Sequence, residues 1–157
     1  MALSEAPITL KEHVDEAVSS GASVVIGGNI CNDEQGKGRF FEPTLLRDCK
    51  NDMSIMSKES FGPLLPVMSV EDDNEAISLM NDSDYGLTAA IYSKDYHIAD
   101  ELSKRLEVGT VFLNRCDYCH PLLAWNGRKK SGNGISLSKY GFNNFFKPKS
   151  INFRLPN

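Results

Sequence analysis

Apolar positions near the start of the chain recur at helical spacing. Leu10, Val14, Ala17 and Val18 fall on one face, and Thr9-Leu10-Lys11-Glu12 fits a capping box, in which the threonine hydroxyl and the glutamate carboxylate satisfy free amides at a helix start. Gly21 supplies a residue that tolerates the left-handed turn with which many helices end. Ala22 to Ile26 then reads as a buried strand. Gly27 to Arg39, rich in Gly, Asn and Asp and without periodicity, reads as a surface loop, and Phe40 to Leu46 returns to extended structure.

The rest of the chain alternates between the two periods. Leu64 to Val70 is apolar enough for a strand, and Asp72-Asp73-Asn74-Glu75 gives an acidic start to a helix that turns Ala76, Ile77 and Met80 inward, with Asn81 to Gly86 as its exit. Leu87 to Tyr92 favours β structure. Ile98, Ala99, Leu102 and Leu106 mark a helical face that stops at Gly109, and Thr110 to Leu113 is another strand. Strands alternating with amphipathic helices of about a dozen residues are the pattern of crossover-connected parallel strands, so the expected fold class is α/β, a mainly parallel open sheet with flanking helices. Ser131 to Gly134 begins a glycine-containing loop. Leu137 to Phe146 predicts a short helix ended by Pro148, and Ser150 to Arg154 alternates polar and apolar as an edge strand does.

Composition narrows the class without changing that outline. The 157 residues are 41% hydrophobic and 24% charged, the profile of a globular chain long enough to bury a core. A net charge of -4 and the absence of a long basic block argue against a nucleic-acid partner. No apolar run reaches the roughly 20 residues that span a bilayer, and the opening MALSEAPITL lacks a basic segment followed by an apolar one, so a cytoplasmic chain without membrane attachment is expected. Four cysteines are too sparse for a disulfide scaffold and read as reduced thiols.

A series of short segments adds a more specific signal. In order they are Gly38-Arg-Phe-Phe-Glu-Pro-Thr-Leu-Leu46, Glu59-Ser-Phe-Gly-Pro63, Asn81-Asp-Ser-Asp-Tyr-Gly-Leu87, Gly109-Thr-Val-Phe-Leu-Asn114, Trp125-Asn-Gly127, Lys130-Ser-Gly-Asn-Gly134 and Lys147-Pro-Lys-Ser150. Each is weak alone, but together they resemble successive landmarks of the aldehyde dehydrogenase superfamily. Asp15 to Gly28 looks like the helix and strand that follow that family's nucleophile region. The resemblance covers nearly the whole chain. It implies the C-terminal part of the aldehyde dehydrogenase fold, with residues 1–146 belonging to the catalytic domain and 147–157 to an oligomerisation tail.

The same resemblance implies oxidation of an aldehyde to a carboxylic acid, with NAD or NADP as hydride acceptor, through a cysteine thiohemiacetal and a thioester that water hydrolyses. Its E-x-F-G-P motif places Glu59 against the ribose of the nicotinamide half and Phe61 beside the nicotinamide ring. A carboxylate suits two ribose hydroxyls and an aromatic wall suits a planar ring. Lys58 stands where the family often has an acidic residue. The alternative for this pair is a solvated loop carboxylate and an ordinary core aromatic.

No catalytic residue is assigned within the chain, because none of Cys31, Cys49, Cys116 and Cys119 has the G-Q-x-C context of the family's nucleophile. Cys116-Asp-Tyr-Cys119-His120 matches C-x-x-C-H, yet the other candidate ligands, Cys31, Cys49, His13 and His97, have no second-half metal spacing, so no metal is expected. Gly36-Lys-Gly38 and Gly132-Asn-Gly134 lack the full dinucleotide fingerprint, and the histidines show no pairing with Ser or Asp that would suggest a triad. Two readings follow. In one the chain is part of an aldehyde-oxidising homo-oligomeric enzyme, inactive alone for want of the nucleophilic cysteine and the dinucleotide-binding half. In the other it is a non-catalytic binding or oligomerisation module derived from that family.

Overall fold

The computed structural model describes all residues except Lys37, Asp117 and Asn157, so the centres of Gly36-Lys37-Gly38 and of the C-x-x-C-H segment lie outside the described residues, as does the last residue of the tail. The chain forms two compact units, residues 1–79 and 80–157. No helix among the described residues is long and apolar enough to cross a membrane.

The first unit opens with α1, Ala6–Ser19. It starts earlier than the capping box suggests: Pro7 lies in the first turn, where a missing amide costs nothing, and Thr9 is interior, its hydroxyl donating to the Glu5 carbonyl at 3.4 Å. The end is as expected. Gly21 at φ 105 lets its own amide reach Val18 O at 3.0 Å and the Ala22 amide reach Ala17 O at 2.9 Å, closing a Schellman turn.

There follow β1 (Ser23–Ile26), β2 (Ile30–Cys31), β3 (Phe40–Phe41), β4 (Thr44–Arg47), α2 (Ser54–Ser57) and β5 (Leu64–Pro66). Strands β1, β4 and β5 form one sheet in that order, with β1 antiparallel and β5 parallel to β4. The expectation of a buried strand at Ala22 to Ile26 fails in one respect: β1 is an edge strand, and Val25 and Ile26 are 55% and 65% exposed. The strand expected over Leu64 to Val70 is shorter, ending at Pro66, whose ring nitrogen has no proton for a ladder. The core lies between α1 and this sheet, where Leu10, Val14, Ala17, Leu46 and Met53 are each 2% exposed or less. Each large side chain buried there contributes about 1.5–3 kcal/mol.

Helix α3 (Asp73–Asn81) runs across the boundary between the units, and Asp72 Oδ1 accepts from the Asn74 and Glu75 amides at its start. The second unit contains β6 (Tyr85–Gly86), β7 (Thr88–Ile91), α4 (Tyr96–Arg105), β8 (Thr110–Leu113), β9 (Trp125–Asn126), β10 (Arg128–Lys129), β11 (Ile135–Ser136), α5 (Ser138–Gly141) and a 3-10 turn over Phe142–Phe145. β7 and β8 pair in parallel, joined through α4. Asp95 caps α4 by accepting from the His97 and Ile98 amides. The α/β class therefore holds. Parallel pairing is confined to β4–β5 and β7–β8, and the remaining ladders among the described residues are antiparallel, those of β2–β3, β6–β10 and β9–β11 being two residues long. No strand forms at Ser150 to Arg154 within the chain, where the backbone belongs to no ladder.

Candidate functional site

The turn Glu59-Ser60-Phe61-Gly62-Pro63 leaves α2 and enters β5, and its backbone is tied down from several directions. The Ser54 amide at the start of α2 donates to Glu16 Oε2 of α1 at 3.0 Å, which fixes the short helix on the long one. The Thr44 amide donates to Pro63 O and the Leu64 amide to Gly62 O, both at 2.8 Å. Gly62 lies so close to α1 that a Cβ there would stand 2.3 Å from Leu10 Cδ1, on a side chain with no exposure, so a larger residue would force Leu10 to move.

What the turn carries points outward. Phe61 is 83% exposed, so the core-aromatic alternative does not hold for it. Its φ of 47 lies in the left-handed region, a conformation that costs a phenylalanine roughly 1–2 kcal/mol and persists only where its neighbours impose it. Glu59 is exposed as well. The arrangement is an aromatic face and a carboxylate on a rigid turn, in the same unit and two residues apart, both open to a ligand.

One tie was not visible in the sequence. His13, buried in α1 with 8% exposure, places Nδ1 3.3 Å from Ser60 Oγ, so a histidine that shows no Ser partner by spacing has one in space, 47 residues away. Burial lowers the His13 pKa from its ordinary value, the Lys58 cation lowers it further, and Glu16 and Glu12 oppose. No third side chain is hydrogen-bonded to this pair among the described residues.

The cysteines do not converge. Cys49 is buried and burial pushes its thiol up, away from the thiolate a nucleophile needs; Cys31 is half-buried, and Cys116 and Cys119 are exposed. His120 Nδ1 accepts from the Leu122 amide at 3.2 Å, and Arg115 stacks on Tyr118 at 4.2 Å. Among the described residues no group of three or more His, Cys, Asp or Glu side chains is placed to hold a metal.

The landmark segments at 81–87 and 109–114 hold the second unit together. Asn81 Oδ1 accepts from the Glu107 amide and its Nδ2 donates to Arg105 O, both at 2.9 Å, which seals the end of α4. Lys129 bridges Asn81 O at 2.5 Å and the Glu107 carboxylate at 2.8 Å. Gly86 and Gly109 allow close backbone approach, since a Cβ at Gly109 would stand 1.6 Å from Asn126 O and one at Gly86 2.3 Å from Glu107 O. Asn114 exchanges two hydrogen bonds with the Ser93 backbone, at 2.9 and 2.8 Å, and so ties the ends of β7 and β8.

Residues 4–151 match the Aldehyde dehydrogenase family. The chain belongs to that family. A chloroplastic betaine aldehyde dehydrogenase of Beta vulgaris is 35% identical over 94% of the chain and 29% of its own length. The crystal structure of lactaldehyde dehydrogenase from Escherichia coli superposes with a TM-score of 0.85 at 38% identity, covering 92% of this chain and 30% of that one. A betaine aldehyde dehydrogenase from Staphylococcus aureus, solved in complex with NAD+, gives a TM-score of 0.84 at 36% identity, over 91% of this chain and 28% of that one. The chain thus spans less than a third of the aldehyde dehydrogenases it matches. The α/β class read from the sequence and the family read from its motifs both stand.

Proposed function

We propose that this chain is the C-terminal part of a nicotinamide-dependent aldehyde dehydrogenase, residues 1–146 lying in its catalytic domain and 147–157 forming an assembly tail, and that the turn at 59–63 forms one wall of the cofactor site. The observation that carries the reading is the rigid presentation of Phe61 and Glu59. An outward phenylalanine in a left-handed conformation has no stabilising role of its own, whereas a flat ring placed against it would be covered and oriented. When bound, NAD or NADP supplies the hydride acceptor. Glu59 offers carboxylate oxygens that accept from ribose hydroxyls, Phe61 restrains the ring, and the tied backbone keeps both from relaxing away.

The substrate is proposed at the level of the aldehyde group, because relatives named for betaine aldehyde and for lactaldehyde match at nearly equal identity. None of the four cysteines combines exposure with the G-Q-x-C context, so the 157-residue polypeptide is proposed to lack dehydrogenase activity alone. Homo-oligomeric assembly through the tail is supported by Ile151, Phe153 and Leu155, which alternate and are 65%, 81% and 81% exposed. The test of the cofactor wall is Glu59→Gln in the complete enzyme. Replacing the charged acceptor removes a contact worth about 1.5–3 kcal/mol, so cofactor affinity falls about tenfold or more while thermal stability holds. Unchanged cofactor affinity and unchanged single-turnover hydride transfer would reduce Glu59 to a surface carboxylate.

A further inference from the structure

The backbone ties of the turn at 59–63 lie at its two ends, the Lys58 amide on Ser54 O before it and the bonds at Pro63 O and Gly62 O after it, so its centre is held by side chains. Ser60 is the central residue between the two outward side chains, and among the described residues its hydroxyl meets a single partner, the imidazole of His13. We propose that His13 is a positioning residue, which holds Ser60 from the buried face of α1 and thereby sets the directions in which Glu59 and Phe61 leave the backbone. The tether stands on its own geometry; its consequence for catalysis rests on the cofactor reading of the turn.

The geometry is suited to this. His13 lies on the same face of α1 as Leu10 and Ala17, which are fully buried, so the ring stands on the most rigid part of the unit. With the proton on Nε2, Nδ1 accepts from the Ser60 hydroxyl. The charged groups acting on the ring are Lys58, which follows α2 just before the turn, and Glu12 and Glu16 from its own helix. Burial and Lys58 outweigh Glu16, which also accepts from the Ser54 amide, and Glu12, so the net shift is downward. Proton uptake would put a charge on a buried ring, against the exposed Lys58 cation, and would reverse the Ser60 bond, so that Nδ1 donates and the hydroxyl must turn to accept, which alters the geometry at the centre of the turn. The sign follows from the lowered pKa. Neutral His13 supports the fold fully above the ordinary histidine value of 6.5, and that support is lost as pH falls through the lower folded-state value.

The experiment follows the His13 ring and the Ser60 and Phe61 amides by NMR in the 157-residue chain between about pH 5 and 8, the range in which histidine titrates. The Phe61 amide is expected to move with the same midpoint as the His13 ring, and that midpoint lies below 6.5. Ser60→Ala is expected to uncouple the two while the α1 amides stay in place. His13→Gln, which keeps an acceptor, is expected to leave the Phe61 amide at its high-pH position at every pH, whereas His13→Leu shifts it. A Phe61 amide indifferent to the His13 titration, or unmoved by Ser60→Ala, would overturn the proposal. In the complete enzyme, His13→Leu is expected to raise the KM for the nicotinamide cofactor about fivefold, the effect of one neutral hydrogen bond, with His13→Gln restoring it. The NMR result needs no cofactor, so a failure of the Glu59→Gln test would remove the function proposed for the turn and leave this outcome readable.

Discussion

Two regions of the molecule expose large aromatic side chains to about the same degree, and they differ in how the backbone beneath is held. In the turn at 59–63, Phe61 is 83% exposed above a backbone tied to α1 and β4. In the last part of the chain, Phe146 and Phe153 are 70% and 81% exposed, and residues 146–156 belong to no helix or ladder. Exposure is therefore not the informative quantity. A side chain held in place before anything binds has its ordering cost met by the fold, as a site for a small planar ligand requires. An apolar tail without internal partners gains its order only when something covers it, as an assembly strand does.

The comparison can be broken most sharply at the tail. Phe153→Asp in the complete enzyme would bury an unpaired charge wherever a partner covers that position, at a cost of about 3 kcal/mol, or more than a hundredfold in association. Light scattering is expected to show a smaller assembly, with the turn at 59–63 unaffected. An unchanged mass would remove the assembly role.

At the turn the expected effects are smaller and separate backbone from side chain. Gly62→Val drives a side chain into Leu10 and is expected to cost about 2 kcal/mol, lowering the melting temperature by roughly 4–8 °C. Phe61→Ala, in contrast, is expected to change stability by less than about 0.5 kcal/mol, since the ring touches little of its own unit. If Phe61→Ala proved as destabilising as Gly62→Val, the ring would be a packing element and the distinction between presenter and scaffold would fail.

Much of this was legible from residue order, and the exceptions have physical causes. Gly21 announced its Schellman turn because the signal is local, and so did the acidic start of α3. Thr9 misled because a capping pattern can occur inside a helix once a proline upstream has set the first turn. Val25 and Ile26 look buried from composition, but only the strand order shows that they lie at a sheet edge. Glu59 and Phe61 could be picked out by their motif, whereas no residue type marks the left-handed Phe61 backbone, and the meeting of His13 with Ser60 is a contact across 47 residues, which periodicity does not encode. Asn81, read as part of an exit turn and as the start of a landmark segment, owes its place to the end of a helix 24 residues away.

The central claim is that the fold presents Glu59 and Phe61 to a nicotinamide cofactor. A crystal structure of the complete enzyme with the cofactor bound tests it most directly. The account predicts a Glu59 carboxylate oxygen within about 2.6–3.2 Å of a ribose hydroxyl and the Phe61 ring against the nicotinamide, on a turn whose backbone is the one described here. A bound cofactor with both side chains beyond about 6 Å, or a turn that rearranges to reach it, would contradict the account.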